Sequence, residues 1–142
     1  MQTTGVLLDD AYLRFLRNTV GVSTISVSVS DIFDSYHNCQ INGTPRELIV
    51  DIDKLCSEIK KYDFNLRISV NLNSTYTFKS MEEIFDRLKK LGADQVTFRK
   101  LYSTCKGTEQ DKWIEEYNVG ESFLKELKEF IVKNGKPLRK LE

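Results

Sequence analysis

Polar and apolar residues alternate most strictly over residues 66–73, where Leu66, Ile68, Val70 and Leu72 are interleaved with Arg67, Ser69, Asn71 and Asn73. Successive side chains leave a strand on opposite sides, so this period of two predicts a strand with one apolar and one polar face. Residues 24–30 repeat the pattern with Ser26, Ser28 and Ser30 on one side, and residues 94–101 repeat it through Gln95, Thr97 and Arg99. Each predicted strand therefore carries an unusually polar face.

The intervening segments follow the helical period. Asp9 and Asp10 open a helix-like stretch to about Asn18, with Tyr12, Leu13, Phe15 and Leu16 on its apolar side and Gly21 ending it. Thr44 and Glu47 have capping-box spacing, with Pro45 at the first helical position. Leu48, Ile52, Leu55 and Ile59 continue at helical steps, which predicts a helix over 44–62. Residues 31–43, which contain the single histidine His37, read as a long polar loop. Ser80 and Glu83 form a second capping box for a helix reaching Leu91, with Gly92 placed for a left-handed cap. Helices over 109–117 and 121–134 follow, the second closed by Gly135 and Pro137. This alternation predicts an α/β fold with parallel strands and right-handed crossovers, in one domain without a low-complexity linker.

Composition narrows the possibilities. The 21 basic and 21 acidic residues cancel, so no global field favours nucleic acid or an anionic membrane, and neither is an expected partner. No stretch approaches a membrane span, and the N-terminus lacks the order of a signal peptide, so a cytoplasmic location is expected. Cys39, Cys56 and Cys105 are too widely spaced for a disulfide framework or a metal-ligand cluster, and no metal site is expected. Cys56 sits in a helical pattern and reads as a small buried hydrophobe. His37 with Cys39 falls short of a zinc ligand set and reads as part of a solvated loop.

Parallel sheets covered by helices on both sides usually read as continuous apolar runs. A polar face instead suggests either a sheet open to solvent on one side or a partial, TIM-like barrel. The barrel would carry helices on its outer face and a ligand cavity within. Chemistry in such barrels gathers at the C-terminal ends of the strands. Ser28, Ser30, Asn71, Asn73, Arg99 and Tyr102 fall there, with Arg67 deeper on the same face. Serine and asparagine suit ribose hydroxyls, purine edges or an amino acid's polar groups, and Arg67 or Arg99 can grip a carboxylate bidentately. For any one of these residues alone, a solvated or structurally bonded side chain is the plainer reading.

With the strands placed, Thr3-Thr4-Gly5 before two leucines and a helix resembles the Thr-Asn-Gly segment ending the third strand of radical S-adenosylmethionine enzymes. Ile25-Ser26-Val27-Ser28-Val29-Ser30 resembles their fourth strand and Leu66-Arg67-Ile68-Ser69-Val70-Asn71 their fifth. The run from Asp94 to Tyr102 is similar to the sixth, and Trp113-Ile114-Glu115-Glu116 with Asn134-Gly135-Lys136-Pro137-Leu138 resembles the tail of one uncharacterised branch. The resemblance implies a partial α/β barrel in which a 4Fe–4S cluster reductively cleaves S-adenosylmethionine to a hydrogen-abstracting 5′-deoxyadenosyl radical. It implies cofactor contacts at Ser28, Leu101 and Tyr102, and substrate contacts at Thr4 and Arg67. Asn71 is a looser candidate on the cofactor side. Ser30 and Arg99 join the cofactor and substrate sets respectively from their places on the polar face.

The Cys-x-x-x-Cys-x-x-Cys motif that holds the cluster is absent, as is the Gly-Gly-Glu-type segment after the second strand. Residues 1–140 are thus expected to be the C-terminal part of such a barrel, inactive alone, with neither cofactor nor cluster bound. A start inside a strand, and a Leu141-Glu142 ending that resembles a tag scar, suggest an expressed piece of a longer enzyme. Its implied partners are the N-terminal half of the barrel and a small-molecule or peptide substrate of unidentified structure. The open strand edge also predicts a homodimer. The alternatives are a non-catalytic half-barrel interaction module and an unrelated metabolite-binding domain.

Overall fold

The alternation in the sequence becomes the two sides of one parallel sheet. The computed structural model describes residues 1–137. It runs β1 (Gln2–Thr3), α1 (Asp10–Phe15), β2 (Thr24–Val29), α2 (Ser35–Ile41), α3 (Ile52–Lys61), β3 (Asn65–Leu72), α4 (Met81–Lys90), β4 (Gln95–Lys100), α5 (Glu109–Tyr117) and α6 (Glu121–Asn134). The four strands pair in sequence order and all run parallel. Gln2 lies opposite Ser26 and Ser26 opposite Arg67, while Ser28 lies opposite Ser69, so the polar positions of neighbouring strands share a side. On the other side Ile25, Val27, Val29, Leu66, Ile68 and Val70 are at most 1% exposed. Each such side chain stabilises the fold by about 1.5–3 kcal/mol relative to exposure.

The described residues cluster into two compact units. The first comprises Met1–Asn71 and Asp86–Arg99, and the second comprises Leu72–Phe85 and the chain from Lys100. In the first, α3 buries Ile52, Leu55, Cys56 and Ile59. Arg87 on α4 grips Asp53 through Nη1 at 2.8 Å and Nη2 at 2.6 Å, and its Nε donates to the Ile32 carbonyl at 2.8 Å. That bidentate bond holds the Asp53 carboxyl below its usual range. Gly5, at φ +91°, leaves room for Leu55, whose Cδ2 would lie 2.3 Å from an added Cβ. In the second unit α5 and α6 bury Ile114, Phe123 and Leu127, and the Phe85 and Phe130 rings lie 4.6 Å apart.

Two expectations fail between β2 and β3. The helix predicted over 44–62 begins at Ile52: Arg46–Leu48 makes one 3-10 turn, and Asp51 caps α3 by accepting from Lys54 N at 3.0 Å. Pro45 is extended at ψ 144°, and Leu48 is 48% exposed, so the capping-box spacing and the first apolar step both mislead. The loop predicted over 31–43 contains α2, capped by Asp34, which accepts from Tyr36 N at 2.8 Å and His37 N at 2.9 Å. The Ser80–Glu83 box forms reciprocally, and Gly92 takes φ +76° as expected. The predicted bounds of α5 and α6 match. Leu138, Leu141 and Glu142 lie outside the described residues. No helix among the described residues is long and apolar enough to cross a membrane.

Candidate functional site

The polar side of the sheet divides along the strand direction. At its C-terminal half, Ser30 follows β2 and is 3% exposed. Its Oγ donates to Asn42 Oδ1 at 2.7 Å and accepts from Asn71 Nδ2 at 3.3 Å. Asn38, on α2, places Oδ1 2.7 Å from Ser30 N and 3.2 Å from Asp31 N, capping backbone donors that the end of the strand leaves exposed. Thr4 borders a small cavity with Asn38 and Asn42. The structure therefore brings Ser30 and Asn71 together and sets Thr4 near their asparagine partners.

The middle of the face holds Ser28, half-buried, opposite Ser69, which is fully buried. Among the described residues, Ser69 Oγ is the one buried side-chain polar atom without a hydrogen-bond partner. An unmet buried hydroxyl costs about 1–3 kcal/mol.

At the N-terminal half the chemistry changes. Arg67 donates from Nε at 2.9 Å and from Nη2 at 2.6 Å to Gln95 Oε1. The Gln2 amide, with its oxygen turned toward the guanidinium, accepts from Arg99 Nη2 at 3.0 Å, Arg99 Nη1 at 3.1 Å and Ser28 Oγ at 3.1 Å. Gln2 stands at the start of one outer strand, whereas Arg99 stands near the C-terminal end of the other, as expected, and its guanidinium reaches back to the Gln2 amide. They border a hollow of about 370 Å³, lined by Met1, Gln2, Thr24, Ser26, Arg67, Thr97 and Arg99.

Leu101 and Tyr102 follow β4 in the second unit. The Leu101 carbonyl accepts from Asn118 Nδ2 at 3.4 Å, and Tyr102 is 78% exposed. The loop after them closes on Asp111. Its Oδ1 accepts from Ser103 Oγ at 2.9 Å and Oδ2 from Thr108 Oγ1 at 2.9 Å, with Thr104 and Lys106 backbone N–H groups adding to the ring. Burial opposes ionisation there, but the hydrogen bonds prevail and hold the carboxyl well below its usual range.

His37 is half-exposed on α2, its Nδ1 2.7 Å from Oδ2 of buried Asp31, and Cys39 is buried with Sγ donating to the Thr44 carbonyl at 3.0 Å. His37 keeps the solvent exposure expected of it but on a helix, whereas the buried Cys39 departs from the solvated loop. Burial pushes the Cys56 thiol up to about 12, as suits a core side chain. Among the described residues, no group of three or more His, Cys, Asp or Glu could hold a metal ion. The sequence reading missed the partners that fix the face: Gln2, Asn38 and Asn42. Gln95 was visible as a polar-face residue, but not as the brace of Arg67.

No protein-family model matches the chain, and no curated protein matches it. A solved structure of native anSMEcpe with bound AdoMet is similar over 94% of this chain and 36% of that one, with a TM-score of 0.58 at 16% identity. Native anSMEcpe with bound AdoMet and Cp18Cys peptide is similar over 94% of this chain and 38% of that one, with a TM-score of 0.52 at 14% identity. The chain spans little more than a third of the length of these structures. At such identity the likeness shows the fold, a parallel α/β arrangement of the partial-barrel class expected from the sequence.

Proposed function

We propose that this chain forms the C-terminal part of a radical S-adenosylmethionine enzyme's barrel, supplying cofactor and substrate wall while the cluster is held elsewhere. One observation carries the reading: nearly the whole chain follows about a third of a structure that holds AdoMet, which is S-adenosylmethionine. Ser28, Ser30 and Asn71 would meet the cofactor's ribose and amino-acid groups, with Leu101 and Tyr102 as further cofactor contacts. Thr4, Arg67 and Arg99 would face the substrate. When bound beside a cluster that this chain does not carry, the cofactor supplies hydrogen-abstracting chemistry. This chain's own residues bind and orient, and alone it is inactive.

The test is anaerobic expression of the complete reading frame, with iron content and 5′-deoxyadenosine formation measured after addition of S-adenosylmethionine and a reductant. Iron incorporation and 5′-deoxyadenosine are expected. A native protein that starts at Met1, with no clustered cysteines in any partner and no 5′-deoxyadenosine, would overturn the proposal. That outcome would favour a non-catalytic half-barrel module, a reading supported by the mutual hydrogen bonding of Ser30, Asn42 and Asn71.

The isolated chain is proposed to dimerise through the free edge of β1, because an unpaired parallel edge offers backbone donors and acceptors to a second copy. Light scattering that shows a monomer at high concentration would exclude this.

A further inference from the structure

We infer that the hollow over the N-terminal half of the polar face is an oxyanion site, built to take the carboxylate or phosphate group of a small metabolite. The argument begins with donors. A guanidinium carries five N–H donors and no acceptor. Arg67 directs two of its nitrogens to Gln95, and Arg99 directs two of its own to Gln2. Both partners are neutral amide oxygens, and neither arginine meets a carboxylate among the described residues. Elsewhere in the chain Arg87 pairs with Asp53 and Arg14 with Asp10, while Arg17 and Arg46 lie over the Phe64 and Tyr36 rings. Here two guanidiniums, with the Met1 ammonium on the same lining, border one hollow with no acidic residue in its wall.

The lining supports the same chemistry. Thr24, Ser26 and Thr97 add hydroxyls that can donate beside the two guanidiniums. The amides hold two nitrogens of each guanidinium without neutralising its charge, which lowers the ordering cost of binding an oxyanion. Arginine's planar fork matches carboxylate and phosphate oxygens two at a time. The hollow, about 370 Å³, lies within the usual size range of metabolite sites, so it can hold more than the bare anion. Gln2, Thr24, Ser26 and Arg67 of its lining stand toward the opposite strand ends from Ser30 and Asn71. The inference deepens the substrate side of the proposed function by naming a ligand class. It rests on that reading only in taking this face to bind a ligand.

The test titrates the 142-residue chain with pyrophosphate and, separately, with succinate, at constant ionic strength set by sodium chloride. Binding is read by calorimetry and by backbone amide shifts at Gln2, Ser26, Arg67 and Thr97. Saturable binding of either probe is expected. Preference for pyrophosphate assigns a phosphorylated ligand, and preference for succinate a carboxylate. R67Q and R99Q are each expected to weaken binding about tenfold, the loss of one charge-assisted contact. Arg99→Lys, which keeps the charge but loses the fork, is expected to fall between R99Q and the native chain. Because Arg99 is exposed, its variants serve if R67Q fails to fold. Absence of saturable binding by both probes, or R99Q binding equal to the native chain, would overturn the site. The titration uses no iron, cofactor or reductant, so its failure and the failure of 5′-deoxyadenosine formation are separate results.

Discussion

At the C-terminal half of the polar face, Ser30, Asn38, Asn42 and Asn71 bond one another and the backbone, whereas at the N-terminal half Arg67 and Arg99 lean on neutral amides and face a hollow. The difference follows from the groups themselves. Hydroxyls and amides both donate and accept, so a cluster of them can close on itself. A guanidinium only donates, and one amide oxygen cannot satisfy it. One half of the face thus stabilises the strand ends, and the other keeps donors available.

That contrast can be broken by substitution, beginning with the neutral half. Asn38→Ala removes the acceptor of two backbone N–H groups, those of Ser30 and Asp31. It is expected to destabilise the chain by about 3 kcal/mol, since each buried donor left unmet costs about 1–3 kcal/mol. Urea unfolding measures it, and a loss under about 1 kcal/mol would mean that the network is not structural.

Between the halves, Ser69→Ala deletes an unmet hydroxyl and is expected to stabilise the chain by about 1 kcal/mol. A destabilisation would reveal a partner for Ser69 that the fold supplies in solution.

The acid limb of stability comes from carboxylates outside the hollow. The Lys60 ammonium at 2.6 Å, opposed by burial, and then the Leu66 N–H hold Asp94 below its usual range. A depressed carboxyl contributes stability that is present above its unfolded value, about 3.9, and is lost as pH falls through the folded value. Asp94→Asn is therefore expected to flatten the stability profile below about pH 4, at a cost near pH 7 of about 1 kcal/mol or less after solvent screening. Unchanged acid unfolding would assign that limb to Asp53 and Asp111, both also depressed.

The smallest effect is expected at the cationic half. Arg67→Gln should change the unfolding free energy by about 0.5 kcal/mol or less, the usual range for a partly exposed position. A shift of several kcal/mol in the same urea series would show that Arg67 serves the fold rather than a ligand.

Much of this architecture is legible in the chain. The parity of Ile25, Val27 and Val29 against Ser26 and Ser28 reads directly as core and polar face, and the Ser80–Glu83 box forms as its spacing predicts. The segment from Asp31 to Asp51 is where local signals compete. Two possible caps, Thr44 and Asp51, precede the same apolar run, and Leu48 fits the helical period without reaching the core. Asp34 also caps α2, although no long apolar stripe announces that helix.

The sequence by itself therefore determined the order of strands and helices and the side on which each polar residue stands, because both are consequences of backbone period within a few residues. Only the tertiary structure decided which polar residues meet. Gln2 reaches Arg99 through the strand order of the sheet, and Asn42 reaches Ser30 from the C-terminal end of α2. No local pattern encodes those distances. They separate a polar face that closes on itself from one that keeps two guanidiniums turned toward a hollow.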